Sequence, residues 1–254
     1  MTNSMINKCP PKPSMFMIHP GAGSCGVYAV LAKKLKDSFN CYGIDSYNSF
    51  YENRIDNLNE LSSYYLTQIE DLISQDGGTI YHLLGWSLGG QIALEIACIL
   101  ERKGSDKINV YLLDTILTDE YLEALGSDQD LEKRQNRFIN FLSNEGCSAE
   151  YIQQMLPNIS IEMLLGQQKL SNKLVHTKVL LFKAMFSDQT IFDIMTNAQE
   201  ISNYLANLEY NNIDKILEDK AKLTLIKIEN VDHSNILNNT DLLARSIIAW
   251  NNLS

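Results

Sequence analysis

The sequence predicts an α/β fold in which a mostly parallel central sheet is flanked by helices and carries a helical insertion. Through residue 114, short apolar runs alternate with amphipathic helical stretches. A chain that returns to the sheet through a helix after each strand builds parallel strands with helices on both faces. Between about 118 and 176 this alternation stops, and the stretch contains polar helical segments without a convincing strand. We therefore predict that residues 118–176 form a helical lid over the sheet.

Each predicted strand is a short apolar run bounded by turn residues, and each predicted helix repeats apolar residues at steps of three and four. The predicted strands are 15–19, 39–45, 79–84, 108–113, 178–185 and 223–228. The predicted helices outside the lid are 25–36, 57–75, a helix ending near Lys103, and 241–250. In the first helix we expect one buried face, made of Val27, Val30, Leu31 and Leu35. Gly104 is typical of a helix C-cap.

Size and composition are those of a folded protein. Of the 254 residues, 45% are hydrophobic and 20% are charged, which is ordinary for a globular chain with a sizeable core. Residues 1–14 are polar and rich in proline, so we predict a tail or linker there and one domain over 15–254. The formal net charge is −10. Because an acidic surface repels phosphate backbones, nucleic acid is not an expected partner.

The sequence also argues against a membrane or secreted protein. No apolar run approaches the roughly 20 residues that span a bilayer, and residues 1–14 lack the apolar core of a signal peptide. The cysteines are odd in number and show no CxxC spacing, which argues against a disulfide framework and a structural zinc site. They are Cys9, Cys25, Cys41, Cys98 and Cys147. These features predict a cytoplasmic protein without a membrane partner.

Residues 85–89, Gly-Trp-Ser-Leu-Gly, match the G-x-S-x-G nucleophile elbow. In such an elbow the serine occupies a sharp strand-to-helix turn, and the glycines avoid collisions with neighbouring backbone. The helix that follows directs its N-terminus at the site and favours developing negative charge. Because an apolar strand precedes the motif and a helix follows it, we predict that Ser87 is a nucleophile. A glycine-rich turn with a structural serine is the alternative.

A serine nucleophile needs a base, and the base needs an acid that orients it. In sites of this type the base comes late in the chain, after the last strand. Among the four histidines, only His233 has that position. We expect His19 and His82, which lie on or at the end of strands, to be packed histidines with satisfied nitrogens. His176 lies near the end of the predicted lid.

Two aspartates compete for the role of the acid. Asp114 ends the strand after the nucleophile helix, and Asp188 follows the next strand. Both would lie at carboxyl ends of parallel strands, where the sites of α/β proteins assemble. We favour Asp114. Asp119 and Asp232 are weaker candidates, because the first lies in the predicted lid and the second adjoins His233.

Two backbone N–H groups are needed to stabilise the oxyanion of a tetrahedral intermediate. We expect one from Leu88, the residue after the nucleophile. The second is expected from the loop after the first strand, residues 19–24, in which Ala22 is the favoured donor. This loop lacks the lysine of a phosphate-binding loop and the full G-x-G-x-x-G spacing.

Four segments together resemble the thioesterase domain family of nonribosomal peptide and polyketide synthases. They are residues 15–23 (MFMIHPGAG), 85–94 (GWSLGGQIAL), 112–115 (LLDT) and 231–237 (VDHSNIL). The extended elbow G-W-S-x-G-G is fairly specific for this family against lipases. The resemblance spans nearly the whole chain from residue 15, with the lid as its least similar part.

The resemblance implies an α/β-hydrolase fold with a helical lid. It places the nucleophile at Ser87, the acid at Asp114, the base at His233, and the oxyanion donors at Ala22 and Leu88. The implied enzyme is a thioesterase that releases an acyl, peptidyl or polyketide chain from the phosphopantetheine arm of a carrier protein. Release would occur by hydrolysis or cyclisation, without a cofactor or metal ion of the enzyme's own.

Several alternatives stay open at this point. Synthase-terminal members of the family usually carry the acid where Asp114 lies, and many stand-alone editing (type II) members carry it one strand later, where Asp188 lies. An esterase or lipase acting on oxygen esters would share the triad, and a binding module without activity would share the fold. The segment before His233 also lacks the glycine that is usual there in the family.

Overall fold

The computed structural model describes residues 12–21, 24–76, 78–125, 136, 139–140, 143, 148–185 and 198–253. Within these residues, six strands form one sheet in the order β2-β1-β3-β4-β5-β6, and every neighbouring pair is parallel. The strands are β1 (Ser14–Ile18), β2 (Asn40–Ile44), β3 (Tyr81–Trp86), β4 (Ile108–Leu113), β5 (Lys178–Ala184) and β6 (Leu223–Ile228). The predicted parallel sheet is therefore confirmed.

Helices connect and flank the strands. They are α1 (Ala29–Leu35), α2 (Tyr47–Phe50), α3 (Leu58–Asp76), α4 (Leu88–Arg102), α5 (Glu120–Leu125), α6 (Ala149–Leu165), α7 (Ala198–Asn207) and α8 (Thr240–Leu253). Gly104 follows α4 with a φ of 90°, the left-handed conformation that a C-cap glycine takes. No helix in the described part of the chain is long and apolar enough to cross a membrane.

The sheet is covered on both faces, so alternate residues of each strand enter two separate hydrophobic clusters. On one face, Phe16 and Leu83 pack with residues of α3 and α4. On the other face, Met17 and Leu84 pack with residues of α1 and α8. Residues 88–100 of α4 are all buried, which gives the helix after the motif serine a fixed position under the site.

The first predicted helix is divided, and its predicted buried face is partly wrong. Residues Cys25–Tyr28 form a 3-10 turn, and α1 begins at Ala29. Leu31 and Leu35 are buried as expected, whereas Val27 and Val30 are 41% and 58% exposed. The tighter 3-10 turn accounts for Val27, because the residues before Ala29 have a different angular spacing. Val30 lies within α1 itself, on a different side of the helix from buried Leu31 and Leu35. The buried face instead contains Tyr28 with the two leucines.

Between β4 and β5, the described residues form α5 and α6 and no strand, apart from an isolated bridge at Leu174. The second half of α6 is tied to the loop after β2, since the Ser46 hydroxyl donates to Glu162 Oε1 at 3.2 Å. Pro157 lies inside α6, where it removes one helix N–H donor. The division of the chain into a tail, a domain and a lid stays a prediction.

Candidate active site

The candidate site lies where the strand order of the sheet reverses. The chain runs from β1 outwards to β2 and then returns to β3 on the other side of β1, so the carboxyl ends of β1 and β3 border a crevice. Ser87 follows β3, Asp114 follows the neighbouring strand β4, and His233 follows β6. The parallel sheet therefore brings all three predicted residues to its carboxyl edge.

Ser87 occupies a strained turn between β3 and α4. Its φ of 55° and ψ of −122° lie outside the regions that residues with a Cβ ordinarily adopt, and such a conformation costs about 1–3 kcal/mol. Hydrogen bonds hold the turn on both sides. The Ser87 N–H donates to the Leu113 carbonyl at 3.2 Å, and the Thr115 hydroxyl donates to the Ser87 carbonyl at 3.2 Å. This is the local geometry that a nucleophile elbow requires.

Close backbone contacts explain the glycines of the motif. A Cβ on Gly85 would collide with backbone atoms of Gly89 and Gly90. A Cβ on Gly89 would collide with the carbonyl oxygens of Ile18 and His19, at the end of β1. The absence of these Cβ atoms lets α4 approach the ends of β1 and β3 and direct its N-terminus at the site.

Asp114 and His233 are joined by a hydrogen bond. The Nδ1 atom of His233 lies 2.9 Å from Oδ2 of Asp114, and an ionised carboxylate only accepts, so Nδ1 carries the donated proton. The centroid of the His233 ring lies 5.6 Å from that of Trp86, the residue before Ser87. His233 is therefore held beside the elbow, with Nε2 as the nitrogen that can accept a proton.

The described residues supply Asp114 with two further donors. The backbone N–H of Ala184 and the side-chain amide of Asn211 both donate to Oδ1, each at 3.1 Å. Asp114 is 5% exposed. Its own N–H donates to the Phe182 carbonyl at 2.8 Å. One carboxylate oxygen is thus occupied by N–H donors, and the other faces His233.

The loop that carries His233 is built around Asp232. The Asp232 carboxylate accepts from the Ser234 hydroxyl at 2.6 Å and from the Asn235 N–H at 2.8 Å. Although burial favours the neutral acid, these hydrogen bonds lower the pKa of Asp232. Asp232 therefore stabilises the turn. Asn230 has a φ of 58° in this loop, and asparagine tolerates the left-handed conformation that would otherwise favour the missing glycine.

Of the other predicted site residues, Leu88 and Asp119 lie within the described part of the chain. Leu88 is the first residue of α4 and is buried, so its backbone directly follows Ser87, the position expected of an oxyanion donor. Ala22, the other predicted donor, and Asp188, the alternative acid, lie outside the described residues. Asp119, a weaker candidate, accepts from the Tyr204 hydroxyl at 2.6 Å.

The other histidines have structural positions. His19 Nε2 lies 2.9 Å from the Tyr65 hydroxyl, and His82 Nδ1 lies 3.0 Å from the Tyr111 hydroxyl. Both histidines are 1% exposed. Burial lowers the pKa of each to about 4, so both are neutral at pH 7. The prediction that they are packed histidines is confirmed, whereas His176 is exposed.

Two residues that shape the site were not predicted. The Tyr28 hydroxyl donates to the Ile18 carbonyl at 2.8 Å and accepts from the Trp86 N–H at 2.9 Å, so it joins the ends of β1 and β3 beside the elbow. Asn211 reaches Asp114 from a turn far along the chain. The one sequence signal for that turn is a pair of adjacent asparagines, which tolerate left-handed turn conformations.

Sequence comparisons relate the chain to enzymes of peptide synthesis. A sequence model of the family described as "Thioesterase domain" matches residues 13–175. The chain is similar to a dimodular nonribosomal peptide synthase of Bacillus subtilis (strain 168), with 31% identity over 104 residues. That alignment covers 41% of this chain and 4% of the synthase, so the chain spans a small part of the length of this relative.

Two solved structures share the fold over almost the whole chain. The thioesterase domain of NocB, in covalent complex with a fluorophosphonate nocardicin G analogue, has a TM-score of 0.65 at 17% identity, with 96% of each chain covered. The type II thioesterase BorB from the borrelidin biosynthetic cluster has a TM-score of 0.62 at 14% identity, with 94% of this chain and 92% of that chain covered. The predicted α/β-hydrolase fold is thus confirmed. Because the family model matches more than half of its residues, this chain belongs to the thioesterase domain family.

Proposed function

We propose that this protein is a serine thioesterase that releases an acyl, peptidyl or polyketide chain from the phosphopantetheine arm of a carrier protein. The observation that carries the proposal is the 2.9 Å hydrogen bond between His233 Nδ1 and Asp114 Oδ2, beside the strained turn at Ser87. A module used only for binding would need neither a strained serine nor an oriented histidine. Similarity to a nonribosomal peptide synthase supports a carrier-bound thioester as the substrate.

The proposed first half-reaction forms an acyl-enzyme. The Oγ atom of Ser87 attacks the thioester carbonyl carbon while its proton moves to Nε2 of His233, and ionised Asp114 stabilises the imidazolium. The N–H groups of Leu88 and Ala22 stabilise the oxyanion. The C–S bond then breaks, and His233 returns the proton to the leaving thiolate. The products are a free pantetheine thiol and an ester on Ser87.

The proposed second half-reaction frees the chain. With His233 again as base, a water molecule attacks the ester, the C–O bond to Ser87 breaks, and the serine recovers its proton. An internal hydroxyl or amine of the chain would give a ring instead of an acid. The proposed reaction uses groups of the enzyme and the substrate, so it needs no cofactor or metal ion of the enzyme's own.

The position of the acid supports one type within the family. The hydrogen bond from His233 goes to Asp114, which follows β4, the strand after the nucleophile helix. This position supports the synthase-terminal type over the stand-alone editing type. Many members of the editing type carry the acid one strand later, where Asp188 lies.

Intact-mass spectrometry with an acyl-pantetheine thioester tests the proposal. The wild-type protein is expected to gain the mass of the acyl group and to react with a fluorophosphonate probe. Ser87→Ala should do neither, and its turnover should fall by orders of magnitude while the fold is kept, since alanine fits the elbow with similar strain. Ser234→Ala, which changes a serine next to His233, is the matched control and should still be labelled.

Three other outcomes would contradict the proposal. Near wild-type thioester cleavage by Ser87→Ala would contradict the assignment of the nucleophile. Cleavage of simple oxygen esters without activity on acyl-pantetheine would indicate an esterase or lipase. A folded wild-type protein that neither reacts with the probe nor turns over either substrate would indicate a binding module.

A further inference from the structure

A buried lysine lies near Asp114, the proposed acid. Lys183, on β5, is 4% exposed. Among the described residues, its Nζ donates to the carbonyl oxygens of Leu205, at 3.2 Å, and Leu208, near the end of α7, and to Oδ1 of Asn211 at 2.7 Å. Burial lowers the pKa of Lys183, while the negative charge of Asp114 opposes that shift. The ammonium is thus held by oxygen atoms and lies within the field of Asp114.

The lysine determines which way the Asn211 amide points. An ammonium group carries only donors, so the Asn211 atom that faces Lys183 must be the oxygen. The Nδ2 atom then faces Asp114 Oδ1, at 3.1 Å. The backbone of Asn211 is also fixed, because its carbonyl accepts from the Leu117 N–H at 3.0 Å. Asn211 is 2% exposed, so water does not compete for these bonds.

We infer that Asn211 and Lys183 are positioning residues of this enzyme: Lys183 orients the Asn211 amide, and the amide holds the Asp114 carboxylate so that Oδ2 faces His233. This inference rests on the proposed function, in which Asp114 orients the base. Neither residue is expected to touch the substrate. Both would act through Asp114.

Lys183 is the buried member of a pair of lysines on neighbouring strands. Asp114 lies at the end of β4, and Lys227, on β6, is paired in register with Lys183. Lys227 is exposed, whereas Lys183 is buried. The Asn211 amide links this buried lysine to Asp114 through two hydrogen bonds.

A merely structural role is the competing explanation, since Lys183 also binds carbonyl groups at the end of α7. The two explanations differ in what they predict for catalysis. A structural role would lower thermal stability and leave the kcat of the folded fraction unchanged. A positioning role would lower kcat in folded protein, with little change in KM, because the substrate itself is not contacted.

Two glycine substitutions separate these explanations. Asn211 and Asn212 have φ values of 51° and 64°, so glycine preserves the backbone at either position. The Asn212 amide donates to the Leu117 carbonyl and to Asp119 rather than to Asp114. Asn211→Gly should lower kcat about 10- to 100-fold, the loss expected for one hydrogen bond to a charged group. Asn212→Gly should stay within about threefold of wild type.

Substitution of two lysines, one buried and one exposed, provides a second, independent test. Removing a buried positive charge near the Asp114–His233 pair favours the protonated imidazole, so Lys183→Met should move the acidic limb of the kcat/KM profile to higher pH. Lys227→Met, at the exposed partner position, should leave that limb in place. Because Lys183 acts through Asn211, Lys183→Met should lower kcat much less in the Asn211→Gly background than in wild type.

The experiment measures acyl-pantetheine hydrolysis from about pH 5 to 9, with thermal unfolding of every variant. Equal kcat values for the two glycine variants, or additive losses in the double variant, would overturn the inference while Ser87→Ala still supported the proposed function. A wild-type protein without thioesterase activity would overturn both. If Asn211→Gly fails to fold, Asn211→Asp replaces the donor by a carboxylate oxygen of the same shape; wild-type kcat in that variant would also overturn the inference.

Discussion

The two N–H groups that donate to Oδ1 of Asp114 determine how the side-chain amide would be oriented in Asp114→Asn. In Asp114→Asn, the amide oxygen must occupy the Oδ1 position, because Ala184 and Asn211 both donate there. The amide nitrogen would then face His233 Nδ1 and act as a donor to it. The imidazole proton would move to Nε2, the nitrogen that accepts the serine proton in the proposed reaction. We expect kcat to fall by up to about 10⁴-fold, measured as steady-state hydrolysis of an acyl-pantetheine.

Asp232→Asn is the control for this substitution. Asp232 lies next to His233 but is bonded to Ser234 and Asn235, so its loss should weaken the turn and leave the imidazole tautomer unchanged. We expect a much smaller loss of kcat for Asp232→Asn, and also for Asp188→Asn. A large loss in Asp188→Asn with a mild effect of Asp114→Asn would move the acid to the later strand and favour the editing type.

At the scale of single residues, the sequence predicts those that belong to local motifs. Ser87 was predicted from the five-residue elbow, and His233 from its place after the last strand. Asn211 and Lys183 could not be predicted, because their contacts with each other and with Asp114 depend on a distant left-handed turn. Sequence spacing contains no information about such a contact. The same holds for Tyr28, whose hydroxyl bridges two strand ends.

At the scale of elements, α6 consists of two unlike halves. The residues after Pro157 include buried Asn158, Ile159 and Glu162, and Leu165 belongs to the main hydrophobic cluster. Before the proline, residues 149, 150 and 153 are exposed, and Ile152 is buried. The proline removes an N–H donor within the helix, so the hydrogen bonds of the preceding turn are weakened. If part of the predicted lid opens, the half of α6 before the proline should open first.

Amide hydrogen exchange tests this expectation. Residues 150–156 should exchange at least about tenfold faster than residues 159–165, because local opening draws on the least buried part of an element. The strands β3 and β4 should exchange most slowly. Pro157→Ala should slow exchange in residues 150–156, since it restores the missing donor. Equal protection of α6 and of the two strands would reject the mobile lid.

The strand boundaries agree with the sequence prediction to within two residues. The four central strands are buried on both faces and are therefore nearly continuous apolar runs. The helix boundaries are less predictable where geometry changes within one segment. At Cys25–Tyr28 the 3-10 turn exposes Val27, although its spacing fitted an α-helical face. Tyr28 is buried in place of Val27, and its hydroxyl donates to the Ile18 carbonyl.

At the scale of the whole molecule, the strand order could not be predicted from the alternation of elements alone. The alternation indicates that the strands are parallel, but the order β2-β1-β3-β4-β5-β6 depends on which helices cover which face. This order places the elbow after β3 next to the loop after β1. Parallel strands then bring Asp114 and the His233 loop to the same edge, although these two residues are 119 positions apart.

The buried histidines make the stability of the whole fold sensitive to acid. Burial lowers the pKa of His82 from 6.5 to about 4, so below pH 6.5 the unfolded chain binds a proton that the folded chain does not. The stability that neutral His82 contributes is therefore fully present above pH 6.5 and is lost as the pH approaches 4, by about 1.4 kcal/mol per pH unit for this one histidine. Urea unfolding of His82→Gln should show a smaller loss of stability between pH 7.5 and pH 5 than wild type, by about 2 kcal/mol. His176→Gln, which changes an exposed histidine, should lose as much as wild type. Identical pH dependence in all three proteins would contradict the prediction, whatever their stabilities at pH 7.5.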